Sequence, residues 1–201
     1  MQNKFSRRRL LATSAGFVGA LALPTGVFAL TDAQAKNLVD KVVNDINKVI
    51  SSGKPVSGMI KDFEKLFTRY GDVNIIARSA LGADSRRATP AQMKAFISAF
   101  RGYISRKYGK RFNEFVGGKV IVKDVRKLKS YHEVRGTIKL RGQAPFDVSW
   151  LVSDRSGKDL FFDMIIEGIS MRLTEATEVG AMLDRRKGNI DALIADLKKA
   201  G

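Results

Sequence analysis

The spacing of apolar residues changes period twice along this chain. Up to Phe115 apolar residues recur every three or four positions, from Val120 to Ile166 they alternate, and after Met171 the wider spacing returns. Over 31–51, Leu38, Val39, Val42, Val43, Ile46, Val49 and Ile50 form one helical stripe. Thr31-Asp32-Ala33-Gln34 reads as a capping box at its start, and Ser52-Gly53-Lys54-Pro55 as its stop. Met59, Ile60, Phe63, Leu66, Phe67 and Tyr70 mark a second helix that ends at Gly71. Asp72 can cap a short third helix closed by Gly82. Thr89-Pro90-Ala91-Gln92 opens a long helix. Carried from Pro90 to Phe115 by Met93, Phe96, Ile97, Phe100, Tyr103, Ile104, Tyr108 and Phe112, it would span about 39 Å at 1.5 Å per residue.

Gly117-Gly118 ends the helical half. Alternation then predicts four strands: 119–128; a second with His132, Val134, Gly136, Ile138 and Leu140 on one face; a third with Phe146, Val148, Trp150 and Val152; and a fourth over 160–166. In the fourth, Leu160, Phe162, Met164 and Ile166 should share the apolar face, opposite Phe161, Asp163, Ile165 and Glu167. Gly168 breaks the run, and Ile169, Ser170 and Met171 lead into a helix. Short connections favour antiparallel neighbours. Two helices close the chain, over 174–186 and, capped by Asn189, through Ile190, Leu193, Ile194 and Leu197. The expectation is one α+β domain over 30–201, with N-terminal helices packed on a curved four-stranded antiparallel sheet and C-terminal helices after it.

The first 29 residues look like an export signal. Lys4, Arg7, Arg8 and Arg9 precede a short apolar run from Leu10 to Leu23, with small residues near Ala29 and Ala35. Ser6-Arg7-Arg8-Arg9-Leu10-Leu11 fits a twin-arginine signal; an ordinary secretory signal is the alternative. Cleavage after Ala35 would remove the capping box, so cleavage after Ala29 is preferred. No later segment is long and apolar enough to span a bilayer, so the mature chain should be soluble and periplasmic. The signal carries four basic residues and no acidic ones, so the remainder is four charges less positive than the whole chain's +16. Such a surplus attracts anionic partners. Export argues against nucleic acid and for membrane surfaces or acidic proteins.

There is no cysteine and one histidine, which leaves out disulfides, thiolate chemistry and an ordinary transition-metal site. No phosphate loop and no G-x-S-x-G elbow occurs. No cofactor is expected. His132 with Asp163 or Glu167 could act as a base and its partner, although a packed strand histidine explains the same residue. Asp163 and Glu167, four apart on one strand, would sit roughly 13 Å apart. That spacing suits a polar outer face, or backbone capping by Glu167, better than an acid/base pair. The aromatic residues are the larger signal. They fit either a filled core or a curved sheet and long helix around an apolar cavity, and periodicity does not separate the two. The cations Arg86, Arg87, Arg101, Arg106, Lys107, Lys110 and Arg111 form a solvated face or a ring suited to phosphate.

Several segments resemble one family. F-D-M-I-I-E-G-I-S-M over Phe162–Met171, then T-E-A-T-E-V-G-A-M-L and K-G-N-I-D-A-L-I-A-D-L, are similar to the MlaC or toluene-tolerance family. Ala80-Leu81-Gly82, Ala88 to Gln92 and Phe146-Asp147-Val148-Ser149-Trp150 resemble it as well. Where the family often has Trp-Arg after Leu-Gly, this chain has Ala83-Asp84-Ser85-Arg86. The resemblance implies a nuclear-transport-factor-2-like cone holding phospholipid acyl chains in an apolar pocket, with the headgroup exposed. It also implies a non-enzymatic periplasmic carrier working between an outer-membrane lipoprotein–porin complex and an inner-membrane ABC transporter bearing an MCE-domain protein, which maintains lipid asymmetry. The expected lipid-binding residues are Phe63, Phe67, Phe96, Phe100, Ile138, Val148, Trp150, Met164, Ile166 and Ile169. The alternatives are a cone-fold enzyme using His132 and Asp163 on an apolar substrate, and an exported adaptor with a filled core.

Overall fold

The computed structural model describes residues 29–201; the export-signal reading falls almost wholly outside them. Six α-helices and five strands follow one another as α1 (Asp32–Ile50), α2 (Val56–Tyr70), α3 (Val73–Leu81), α4 (Pro90–Gly109), β1 (Lys119–Leu128), β2 (Tyr131–Lys139), β3 (Phe146–Ser153), β4 (Leu160–Ile166), β5 (Ile169–Ser170), α5 (Met171–Arg185) and α6 (Ile190–Leu197). The capping signals work locally as the sequence suggests. Thr31 and Thr89 each close a full capping box, and Asp72 and Asn189 accept from amides of the first turns they precede.

The strands form one antiparallel sheet in the order β1-β2-β3-β4-β5. The sheet thus has five strands rather than four. Glu167 and Gly168 both take positive φ, 48° and 80°, and turn the chain back so that Ile166 pairs with Ile169. This two-residue reversal supplies a fifth strand where a direct passage into a helix was expected.

A second departure lies inside β4. Val152 pairs with Phe161 and Leu151 with Asp163, which leaves Phe162 as an extra, bulged residue. A bulge resets the alternation of faces. Phe161, not Phe162, therefore joins Met164 and Ile166 on the face shared with Val148, Trp150 and Val152, and Leu160 falls on the other side. Phe162 stacks edge-on against Tyr131, centroids 5.4 Å apart.

The inward face is laid out in rungs. Val125, Val134, Trp150 and Met164 form one; Val122, Gly136, Val148, Ile166 and Ile169 form the next. Gly136 permits that second rung. A Cβ there would lie 2.8 Å from the Ile121 carbonyl oxygen and 3.4 Å from the Trp150 ring.

The buried apolar side chains fall into separate clusters. One joins α3, α4, α5 and α6 around Phe96, Phe100, Leu193 and Leu197. A second lies between α1 and the sheet, around Val39, Val134, Val148, Trp150 and Val152. A third joins the end of α1 to Met59 and Phe112. The long helix expected over 90–115 is α-helical only to Gly109, where a Cβ would come within 3.0 Å of Ile60. Lys110–Phe115 continue as a 3-10 segment, which swings Phe112 against Phe63. Between the clusters the helices and sheet do not close.

Candidate functional site

The unclosed space is a cavity of about 630 Å³, within the size range of small-molecule sites. Its walls come from every layer. α1 gives Val42, Val43 and Ile46; α2 gives Phe63 and Phe67; α4 gives Ile104 and Tyr108; the following 3-10 segment gives Phe112 and Phe115. The sheet gives Val120, Ile138, Phe146, Trp150, Phe161, Met164 and Ile166. These positions are apolar because each lies on the inward stripe of its helix or the inward face of its strand.

Seven of the expected binding residues lie on this wall: Phe63, Phe67, Ile138, Trp150, Met164, Ile166 and Ile169. Phe96, Phe100 and Val148 do not. Phe96 and Phe100 are 0% exposed and stack on each other in the helical cluster, while Val148 is sealed between sheet and α1. Ile169 sits on the rim rather than inside, 62% exposed at the tip of the β4–β5 reversal. Leu173, one turn into α5, is exposed as well. The rim also carries Arg111, Glu114, Gln143 and Glu167.

The carboxylates weighed from the sequence have structural duties. Asp163 is buried, not on a polar outer face. It accepts hydrogen bonds from the Met164 and Arg172 amides at 2.8 and 3.0 Å and from the Ser170 hydroxyl at 2.6 Å. Glu167 lies beyond β4 and accepts from the Asp147 amide, a backbone-capping use. His132 is buried on β2, with Nε2 3.0 Å from an Asp32 oxygen at the start of α1. Neither ring nitrogen of His132 has a hydrogen-bond partner. His132 is not part of the cavity wall and is not brought to Asp163.

One polar group on the wall escaped the sequence reading. Glu175, on α5, is 2% exposed and lines the cavity. Its Oε1 accepts from the Tyr108 hydroxyl and from Lys107 Nζ at 2.7 Å. Lys107 also binds Glu178 at 2.7 Å, and the Tyr103 hydroxyl donates to Glu178 at 2.8 Å. These bonds tie α4 to α5 along the edge of the cavity. Burial, reinforced by the Glu175 carboxylate, raises both tyrosine hydroxyls far above their ordinary value, so both stay protonated donors. Burial pulls Lys107 down, but its two carboxylate partners outweigh that and leave it raised. The only sequence signal for Glu175 was its place four residues after Met171, on the same helical face.

Comparison with known proteins follows this geometry. A family model described as MlaC protein matches residues 36–199. The fold is similar to a solved structure described as the phospholipid-binding protein from Ralstonia solanacearum in complex with a phospholipid. The TM-score is 0.71 and the identity 19%, over 82% of this chain and 95% of that one. At that identity the likeness concerns the fold. With the family model spanning nearly all of the described residues, the chain belongs to the MlaC protein family.

Proposed function

We propose that this protein is a phospholipid carrier of the periplasm. It holds acyl chains in the apolar cavity and shuttles lipid between an outer-membrane lipoprotein–porin complex and an inner-membrane ABC transporter bearing an MCE-domain protein. The observation that carries this reading is the cavity itself. A largely apolar wall, drawn from helices α1 to α5 and the sheet, leaves unfilled a space where a protein of this size would otherwise pack side chains. Family membership and the phospholipid held by a protein of similar fold support it. In this reading the curved sheet and helices are a nuclear-transport-factor-2-like cone. Residues 1–29 are an export signal, and no cofactor or nucleic acid is involved.

The energetics suit a reversible carrier. Burial of a methylene is worth about 0.8 kcal/mol, so two long chains represent a gross attraction of tens of kcal/mol. Nearly all of it is already realised in a bilayer, and the transfer into the cavity is close to balanced. Direction then comes from partners and from ATP hydrolysis elsewhere. The enzyme alternative draws no support from the geometry, because His132 faces Asp32 outside the cavity and the Asp163 oxygens are taken up by amides and a hydroxyl.

The test is native mass spectrometry of the protein purified from cells, with extraction and identification of released lipid. One phospholipid per chain is expected. Met164→Trp, which fills the cavity from β4, should purify folded and empty. A wild-type protein that arrives empty and takes up nothing from vesicles would refute the carrier reading.

A further inference from the structure

Among the described residues the exposed large apolar side chains are Val56, Val116, Ile121, Ile169 and Leu173. Isolated ones are ordinary, but a group beside the opening of an apolar cavity points to a contact surface. Ile169 is on the rim, Val116 follows the wall residue Phe115, and Leu173 stands in the first turn of α5 between the wall residues Arg172 and Thr174. Leu173 faces solvent rather than the cavity. Helical side chains lean toward the helix N-terminus, so it leans back toward Ile169. The opposite edge of the same sheet end is cationic. Lys119 and Lys139 face each other across β1 and β2, and Arg141 comes two residues later. All three are exposed, and none is held by an ion pair among the described residues. The acids nearby are already engaged: Glu114 by Arg111, Asp147 by Lys123, Asp124 by Arg135 and Glu167 by the Asp147 amide. Like charges directly opposite each other on a strand pair cost stability, and an anion beside them relieves that cost. From β1 to β5 is four strand spacings, about 19 Å. The sheet end thus presents cations at one edge and aliphatic tips at the other, with the rim residues Gln143 and Glu167 in loops between them.

We propose that this end of the domain docks directly on an anionic phospholipid bilayer. Lys119, Lys139 and Arg141 lie against lipid phosphates, and Ile169 and Leu173 enter the boundary between headgroups and acyl chains. The inference rests on the carrier reading and extends it to a membrane contact in which lipid enters or leaves without a protein partner. A bilayer fits the surface better than an acidic protein does, because it offers both halves of the match: anionic groups and, just beneath them, hydrocarbon. With the rim seated at that boundary, an acyl chain passes between two apolar phases and avoids the hydration cost that each methylene carries in water.

The chain has no cysteine, so a single introduced one reports on one place. Delipidated protein carrying Ile169→Cys is labelled with an environment-sensitive dye, as is Lys129→Cys, in the β1–β2 turn at the other end of the sheet. Each is mixed with vesicles of phosphatidylcholine alone or with phosphatidylglycerol added, and unlabelled protein is followed by co-sedimentation with the same vesicles. Binding should require phosphatidylglycerol and weaken as salt is raised. The dye at 169 should report an apolar environment while the dye at 129 stays in water. Lys119→Gln, Lys139→Gln and Arg141→Gln together should weaken binding about a hundredfold at low salt. Ile169→Ser with Leu173→Ser should weaken it about tenfold. These changes touch exposed side chains, melting temperatures check that the fold is kept, and the dye comparison decides independently of them. No binding, binding indifferent to phosphatidylglycerol, or a response at 129 rather than 169 overturns the inference. If that protein still leaves cells with one phospholipid per chain, the carrier reading stands and the surface belongs to an acidic protein. Docking as described by a protein that holds and takes up no lipid would keep the surface and remove the carrier reading.

Discussion

Phe63 and Phe100 are the same residue type at helical spacing, yet they do different things. Phe100 is fully enclosed, while Phe63 stands half-buried on the cavity wall. Phe100→Ala should lower unfolding free energy by about 3–5 kcal/mol in a urea titration, the usual cost of emptying an aromatic site in a packed core. Phe63→Ala should cost clearly less and show its main effect on lipid retention. Nothing in the sequence distinguishes the two, because periodicity reports that a face is turned inward and not whether the opposing side chains meet it. Asp163 is a similar case. Its neighbours suggested an exposed strand face, whereas its carboxylate ties the end of β4 to the start of α5. Asp163→Ala would take the carboxylate acceptor from two part-buried amides and from the Ser170 hydroxyl, and should cost roughly 2–4 kcal/mol, measured the same way.

Elements were legible where local chemistry sets them. Thr31, Asp72, Thr89 and Asn189 each announced a helix start, because a capping side chain and the amide it binds lie within three residues. Thr31→Ala should lower stability by about 1 kcal/mol in thermal or urea unfolding. What depends on distant partners was not legible. The Phe162 bulge is a matter of register between β3 and β4, so the pattern F-F-D-M predicted the wrong phenylalanine on the inner face. Gly136 marked only a gap in an alternating pattern. Its reason is the Ile121 carbonyl on one side and the Trp150 ring on the other. Gly136→Val should force β1 and Trp150 apart and cost about 1–3 kcal/mol, with a loss of bound lipid seen in the same preparation.

For the whole molecule, the order of helices and strands followed from the two changes of period. The cavity did not, because it is the difference between the volume the layers enclose and the volume their side chains fill. Charge acts at this scale too. Glu178 is held below the ordinary carboxylate value, first by Lys107 and then by Tyr103, against the opposing effect of burial. Bonds to Lys48 and Tyr70 lower Asp45. Groups depressed on folding stabilise the fold at pH values above the ordinary carboxylate range, and that contribution is lost as pH falls through their lower folded values. The melting temperature should therefore decline below about pH 4. Lys107→Met, which removes the first of the two partners of Glu178, should flatten part of that decline.

The start of the described chain carries one more consequence. Leu30 is buried, and its backbone nitrogen donates to Asp154 at 3.0 Å, just before the Thr31 capping box and the Asp32 contact with His132. Cleavage after Ala29 would turn that amide into a terminal ammonium facing the same carboxylate. A hydrogen bond from a neutral donor in the precursor would become an ion pair in the product, so maturation itself would fasten the first helix to the β3–β4 turn. Cleavage after Ala35 would discard every one of these contacts. N-terminal sequencing of the protein recovered from a periplasmic fraction, together with the melting temperatures of chains beginning at Leu30 and at Lys36, would show whether processing completes the fold or trims it.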